Sequence, residues 1–329
     1  MAGRLSGKVA LVAGATRGAG RGIAAMLGEA GATVYCTGRT TRGHPATGVY
    51  AGRKETIEET AELVDAKGGR GIAVRVDHLV RPEVESLVAR IRAESKRLDV
   101  LVNDISEAAT HDWAPFWKVD LEKGFRALAN GIHTHIITAK CAAPLMMKAK
   151  GGLIVEIGDG DFLGHRGTLF YDLVKTNVNR LAYVMAEELH PHGVAVVAIS
   201  PGYMRSEMVL DHHKVMEANW RAAAKKDKLF GDSETPSFVG RAVVALAADP
   251  GKMAKSGGLF GSWTLAEEYG FTDVDGRTPN LARQWEKVFG KPLEDGPGKT
   301  AFWWKQMHGP DRNATGGRGR TRRRADTRS

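Results

Sequence analysis

The chain has 329 residues, of which 43% are hydrophobic and 26% charged, and its formal net charge is +9. This composition is typical of a globular protein with enough chain for a buried core, and no apolar run reaches the roughly 18 residues of a membrane span. The two cysteines, Cys36 and Cys141, are too few for a disulfide framework or a zinc cluster, so a reducing cytoplasmic location without a metal site is expected.

Strand-like and helix-like segments alternate along the chain. The predicted strands are Lys8–Ala13, Thr33–Thr37, Ile72–Val76, Val100–Asn103, Leu153–Ile157, Val194–Ile199 and Leu259–Trp263. The predicted helices are Gly20–Ala30, Glu55–Lys67, Pro82–Lys96, a stretch ending near Met147 and broken near Gly131, Tyr171–His190 and Phe238–Ala248.

Uniformly apolar strands separated by helices are typical of a parallel sheet covered on both faces. The predicted fold class is therefore α/β, a Rossmann-like doubly wound parallel sheet of about seven strands in a single domain over residues 5–265. A C-terminal extension, residues 266–308, is expected to pack on this domain.

The last residues carry much of the positive charge. Residues 309–329 hold seven arginines and two aspartates, and so contribute +5 of the net +9. They contain almost nothing apolar, which favours a disordered, solvated tail. Contact with nucleic acid is the less favoured interpretation, because no aromatic side chains lie between the arginines.

A glycine-rich loop joins the first predicted strand to the first helix. It contains Gly14, Arg17, Gly18 and Gly20. Glycines at such a turn let backbone N–H groups approach a pyrophosphate, which then rests on the helix N-terminus. Nucleotide binding is favoured over an ordinary turn because the loop lies inside a strand–helix–strand unit.

The end of the second strand indicates which nucleotide is bound. An acidic residue there would hold the ribose hydroxyls of NAD, but the chain has Arg39 instead. Arg39 and Arg17 are suited to a 2′-phosphate, so NADP(H) is preferred over NAD(H). The alternative is that both are ordinary surface arginines.

Tyr171 and Lys175 are the candidate catalytic pair. They lie four residues apart on a predicted helix and therefore share one face. A free tyrosine has a pKa near 10, and a neighbouring ammonium lowers that pKa by favouring the phenolate. Tyr171 is thus the expected general acid or base for a carbonyl or alcohol substrate, while a surface pair without chemistry is the alternative.

These motifs resemble those of the short-chain dehydrogenase/reductase family over about residues 5–265. The matching positions are Gly14, Gly18, Gly20, Asp77, Leu101–Asn103, Tyr171, Lys175, Pro201, Gly202 and Ser206. The resemblance implies that Asp77 approaches the adenine, Asn103 lines the cofactor cleft, Pro201-Gly202 borders the nicotinamide and Ser206 supplies a hydroxyl. It also implies a homodimer or homotetramer.

Two segments, Ala32–Arg39 and Leu265–Gly276, resemble a subgroup of NADPH-preferring carbonyl or steroid reductases. Lid methionines after Pro201, such as Met204 and Met208, suit an apolar small-molecule substrate, although packing explains them equally well. His133 and His135 are interpreted as core or boundary histidines.

Three positions depart from the family pattern. Asp104 follows Asn103 where the family has a second asparagine, and the helix asparagine falls at Gly131 by counting, next to Asn130. The family serine lies 13 residues before the tyrosine, which here is Gly158. Its loss removes a donor to the substrate carbonyl, so a nucleotide-binding protein with weak or no catalysis is the alternative function. An ionised Asp159 cannot donate a hydrogen bond, and the candidate replacements are a protonated Asp159, a water, or the hydroxyl of Thr168 or Ser106.

Overall fold

The computed structural model describes residues 3–106, 114–149, 151–159 and 167–293. The predicted arginine-rich tail and residues 294–308 of the predicted extension lie outside these residues. Within the described part, no helix has the length and apolar character needed to cross a bilayer.

Seven parallel strands form one sheet, as the sequence predicts. They are β1 (Val9–Ala13), β2 (Thr33–Gly38), β3 (Arg70–Arg75), β4 (Val100–Asn103), β5 (Leu153–Ile157), β6 (Ala195–Ser200) and β7 (Leu259–Gly261). The sheet order is β3-β2-β1-β4-β5-β6-β7. Strands β2 and β3 therefore lie on one side of β1, and β4 to β7 follow one another on its other side. This leaves a crevice at the carboxyl ends of β1 and β4, where doubly wound folds bind their ligands.

Ten α-helices connect or follow the strands in the described chain. They are α1 (Gly18–Glu29), α2 (Ile57–Ala66), α3 (Arg81–Ser95), α4 (Leu121–Leu128), α5 (Thr134–Ala149), α6 (Leu169–Leu189), α7 (Glu207–His213), α8 (Pro236–Ala248), α9 (Ser262–Tyr269) and α10 (Leu281–Phe289). The predicted break near Gly131 is a π-helix, Ala129–His133, between α4 and α5. The seventh strand is shorter than predicted because α9 begins at Ser262.

The core lies on both faces of the sheet. One apolar layer packs β1, β4, β5 and β6 against α1 and α8, and the other packs the opposite strand faces against α3, α5 and α6. Strand β1 is buried throughout, so its carboxyl end is held firmly beneath the glycine-rich loop.

The described part of the C-terminal extension packs on this domain. Trp263 and Leu293 form a small cluster with the apolar face of α10. The Asp273 carboxylate accepts hydrogen bonds from the backbone N–H of Thr235 at 2.8 Å and from its hydroxyl at 2.5 Å. These bonds fix the start of α8 and the loop that precedes it.

Candidate active site

A cavity of about 690 Å³ opens at the carboxyl edge of the sheet. This volume lies within the range of typical small-molecule and cofactor sites. Of the site residues predicted from sequence, the ones that line it are Gly14, Arg17, Gly18, Arg39, Asp77, Lys175, Pro201 and Ser206. Other positions that the sequence singled out also line it, among them Asn130, Gly158, Met204 and Met208. Its described lining does not include Gly20, Asn103, Tyr171 or Gly202.

The glycine loop is shaped for close backbone approach. Gly14 and Gly18 have φ values of +92° and +57°, which disfavour any residue with a side chain. A Cβ at Gly20 would lie 2.3 Å from the carbonyl oxygen of Gly14. The Gly18 N–H donates to the Glu207 carboxylate of α7 at 2.8 Å, so a negatively charged group already lies at the loop.

The Arg17 side chain is poised for an anionic ligand. Its Nε and Nη2 atoms are buried and have no hydrogen-bond acceptor among the described residues, although Nε lies 3.6 Å from a Glu55 carboxylate oxygen. Its guanidinium stacks on the Tyr50 ring at 4.5 Å. Buried guanidinium N–H groups are stabilised by a phosphate, so a phosphorylated nucleotide fits this part of the cavity.

Residues 41–54, which we call the insertion, border the same end of the cavity. The Tyr50 hydroxyl donates to the Ser106 carbonyl at 3.0 Å, and Arg53 donates to Asp211 of α7 at 2.8 Å. The Arg39 guanidinium lies 3.9 Å from the Asp77 carboxylate and is about half exposed. The insertion thus ties the loop after β4 to the helix after β6 across the cavity.

A buried polar network supports the floor of the cavity. Glu156 accepts hydrogen bonds from Asn103 at 2.7 Å and from His135 Nδ1 at 2.5 Å. His135 also meets the Ile105 carbonyl through Nε2 at 2.9 Å. Asn103 is thus bound to the neighbouring strand β5, and its expected place in the cofactor cleft stays a prediction. His135 is a satisfied buried histidine, as interpreted from the sequence.

The ionisable groups of this network are strongly perturbed. Burial would lower the pKa of His135, but the Glu156 carboxylate raises it above its usual value. Burial raises the pKa of Asp104 to about 7, against the opposing charge of Lys175 and a hydrogen bond from the Gly20 N–H at 2.5 Å. Asp104 thus links the glycine loop to the lysine of the candidate pair.

Tyr171 and Lys175 lie together near the start of α6. The Lys175 ammonium is 6.0 Å from the centre of the Tyr171 ring. The Tyr171 hydroxyl donates a hydrogen bond to the carboxylate of Asp159, which follows β5. Among the described residues, the acceptor of the tyrosine hydroxyl is therefore Asp159, one position after Gly158.

Gly158 lines the cavity and is also tightly packed. Its N–H continues the sheet by donating to Ile199 at 2.9 Å, and a Cβ there would lie 2.6 Å from the Asn179 side-chain oxygen. The π-helix also changes the position expected for the helix asparagine, because a π-helix has about one more residue per turn than an α-helix. Asn130 lines the cavity, whereas a Cβ at Gly131 would meet Val174 at 2.5 Å.

The loop after β6 is held from below by Glu234. Its carboxyl group accepts hydrogen bonds from the Gly202 N–H at 2.9 Å and from the Ser262 hydroxyl at 2.6 Å. The Ser206 hydroxyl caps α7 by accepting from the Val209 N–H at 3.4 Å. Pro201 and Ser206 therefore stand at the cavity wall, while Gly202 is directed towards Glu234.

With this geometry established, comparison with known proteins decides the family. The model of the short chain dehydrogenase family matches residues 8–216. The chain belongs to the short-chain dehydrogenase/reductase family. It is 36% identical over 283 residues to dehydrogenase/reductase SDR family member 1 of Mus musculus, with 84% of this chain and 86% of the relative covered.

Two further relatives agree. The Homo sapiens protein of the same name is 35% identical over 284 residues and is covered to the same extents, 84% and 86%. A short-chain type dehydrogenase/reductase from Mycobacterium marinum has the same fold, with a TM-score of 0.63 and 24% identity over 78% of this chain and 94% of that chain. This short-chain dehydrogenase is thus an oxidoreductase whose family uses a nicotinamide nucleotide.

Sequence reasoning did not assign Asp159, Glu207 or the pair of Glu156 and His135. The sequence suggests Asp159 only as a protonated replacement for the missing hydroxyl donor, and not as the acceptor of the Tyr171 hydroxyl. A glutamate inside a buried strand is an unusual signal, since a buried carboxylate requires partners. That signal at Glu156 could have indicated the network.

Proposed function

We propose that this short-chain dehydrogenase is an NADP(H)-dependent oxidoreductase that reduces a carbonyl, or oxidises the matching alcohol, with Tyr171 as general acid or base. The observation that carries the proposal is that Lys175 lines the same cavity as the glycine loop and lies beside the Tyr171 ring. This combination joins a nucleotide site to a group able to transfer a proton.

The residues of the cavity fit the cofactor. The N–H groups of the glycine loop are suited to the pyrophosphate, with Ser206 and Pro201 at the far wall. Arg17 and Arg39 are suited to a 2′-phosphate, and the two buried N–H groups of Arg17 without an acceptor support this assignment. NADP(H), when bound, supplies or accepts the hydride.

The chain's own residues supply the proton chemistry. In reduction, Tyr171 donates the proton of its hydroxyl to the carbonyl oxygen of the substrate, and in oxidation it accepts a proton from the alcohol. The positive charge of Lys175 stabilises the phenolate that forms when the proton leaves. Met204 and Met208 at the cavity support an apolar part of the substrate.

Replacement of Tyr171 by Phe tests this function. The variant keeps the ring and removes the proton, so NADPH oxidation across a panel of aldehydes and ketones is expected to fall by about 10²-fold or more. Tyr183→Phe, on the same helix, is the matched control and is expected to retain activity. Unchanged turnover of Tyr171→Phe refutes the catalytic assignment, and wild type that binds NADPH without turnover supports the nucleotide-binding alternative.

Assembly and location follow as lesser parts of the proposal. Four exposed apolar side chains support a homo-oligomer: Phe116, Trp117, Leu121 and Phe125, with exposures of 57%, 70%, 56% and 54%. Two free cysteines, Cys36 and Cys141, support a reducing cytoplasmic location. Sedimentation equilibrium of wild type and Trp117→Ser tests the assembly, since a monomeric wild type refutes it.

A further inference from the structure

We infer that Asp159 is a catalytic residue, which acts on Tyr171 as a carboxylate where the family has a hydroxyl. The inference rests on the proposed function, because it concerns the proton of Tyr171. The direct observation is the hydrogen bond that the Tyr171 hydroxyl donates to Asp159. The group that touches the reacting proton is therefore an acceptor with negative charge.

The backbone explains why residue 159 occupies this position. Strand β5 ends at Ile157, and Gly158 still pairs with β6 through its N–H bond to Ile199 at 2.9 Å. This bond fixes the direction of a side chain at 158, which would lie against the Asn179 oxygen at 2.6 Å. Asp159 is the next residue, and its carboxylate reaches the hydroxyl of Tyr171.

The charges around Tyr171 act in opposite directions. Lys175, from the same helix, stabilises the phenolate form of Tyr171. Asp159 stabilises the phenol form, because it accepts a hydrogen bond from the hydroxyl and because a carboxylate repels the negative charge of a phenolate. From the carboxyl end of β4, Asp104 interacts with Lys175.

Helix α4 packs on α6 through small and aromatic residues. It contacts α6 through Gly124 and Phe125 at Phe170, whereas its Lys123 and Arg126 are exposed. The π-helix presents Gly131 to Val174 of α6. Among the residues that the structure describes, Lys175 and Asp159 are thus the charged groups placed against Tyr171.

The consequence is a tyrosine that stays protonated to a higher pH. During reduction, the O–H bond of Tyr171 breaks and a new O–H bond forms on the substrate oxygen, and the proton does not pass to Asp159. A bound nicotinamide cofactor would supply the hydride. Oxidation requires the reverse transfer to a phenolate, which Asp159 disfavours. The pair of residues thus favours reduction near neutral pH and confines oxidation to alkaline pH.

The pH dependence of Asp159→Asn tests the inference. Asparagine keeps the size of the side chain and removes the charge, so the phenolate forms at a pH lower by about one unit or more. Both the rise of alcohol oxidation and the alkaline fall of carbonyl reduction are expected to move together to lower pH. Asp159→Glu keeps the charge and is expected to retain the wild-type profile.

A second readout does not depend on turnover. The absorbance of tyrosinate is measured against pH in four proteins. Subtracting the curve of Tyr171→Phe from that of wild type isolates Tyr171 beside aspartate, and subtracting the curve of Asp159→Asn/Tyr171→Phe from that of Asp159→Asn isolates it beside asparagine. The difference assigned to Tyr171 is expected to appear at lower pH in the asparagine background. A uniform loss of rate with unmoved profiles and an unmoved absorbance titration overturns the inference, and activity that survives Tyr171→Phe overturns the proposed function instead.

Discussion

Replacement of Glu234 by Gln should remove a large pH dependence of stability. Glu234 is 1% exposed, one of its carboxyl oxygens accepts the bonds from Gly202 and Ser262, and the other is buried without a hydrogen-bond partner among the described residues. Burial raises the pKa of Glu234 from 4.5 to about 8. The carboxyl group is therefore neutral in the folded protein at pH values where the unfolded chain has already lost the proton.

The sign and size of the effect follow from this difference. The folded state holds the proton more tightly, so the contribution to stability is complete below pH about 4.5 and is lost as pH rises to about 8. Each pH unit in this window costs about 1.4 kcal/mol. Between pH of about 5.5 and 8.5, the free energy of unfolding of wild type should fall by about 3 kcal/mol relative to Glu234→Gln.

Urea denaturation at both pH values measures this difference directly. Glutamine can accept the same two hydrogen bonds through its amide oxygen, so the variant should fold, and Glu286→Gln at an exposed position of α10 controls for the loss of a carboxylate. Other titrating groups cancel in the comparison. If the gap between wild type and Glu234→Gln changes by less than about 0.5 kcal/mol, Glu234 is not a neutral buried acid and the reasoning is wrong.

Three further changes have defined outcomes. Gly20→Ala places a Cβ 2.3 Å from a loop carbonyl oxygen, so calorimetry should show NADPH binding weakened by about tenfold or more, with an unchanged affinity contradicting the loop geometry. Gly158→Ser should lower the melting temperature by roughly 3–10 °C, because its Cβ would meet the Asn179 side chain. Adding Asn179→Ala should restore much of the lost melting temperature, and an unchanged melting temperature would show that this contact is not the cause. Glu207→Gln removes the carboxylate at the Gly18 N–H and should tighten NADPH roughly fivefold in fluorescence titration, whereas weaker binding would assign Glu207 a supporting role.

Much of the fold could be predicted because its signals are local. Apolar runs of strand length and helical spacing depend only on neighbouring residues, and they correctly predicted seven strands. The ends were less certain, because hydrogen bonding to a neighbouring strand decides them. The third strand, expected at Ile72–Val76, is Arg70–Arg75 since Thr33 of β2 pairs with Arg70.

The positions of single site residues were predicted less well, because counting assumes loops and helices of constant length. A π-helix adds one residue before His135, which brings Asn130 rather than Gly131 to the cavity. Likewise, the position beside the Tyr171 hydroxyl is held by Asp159, since Gly158 is still bonded into the sheet.

The sequence by itself determined the parallel sheet, the glycine loop and the candidate pair Tyr171 and Lys175, since each is written in a short stretch of chain. Only the tertiary structure decided which distant groups meet. Gly18 and Glu207 are 189 residues apart, and Asn103 and Glu156 are 53 apart, yet each pair is hydrogen-bonded. The physical reason is that burial and hydrogen bonding between separate elements fix these contacts, and no local pattern of residues records them.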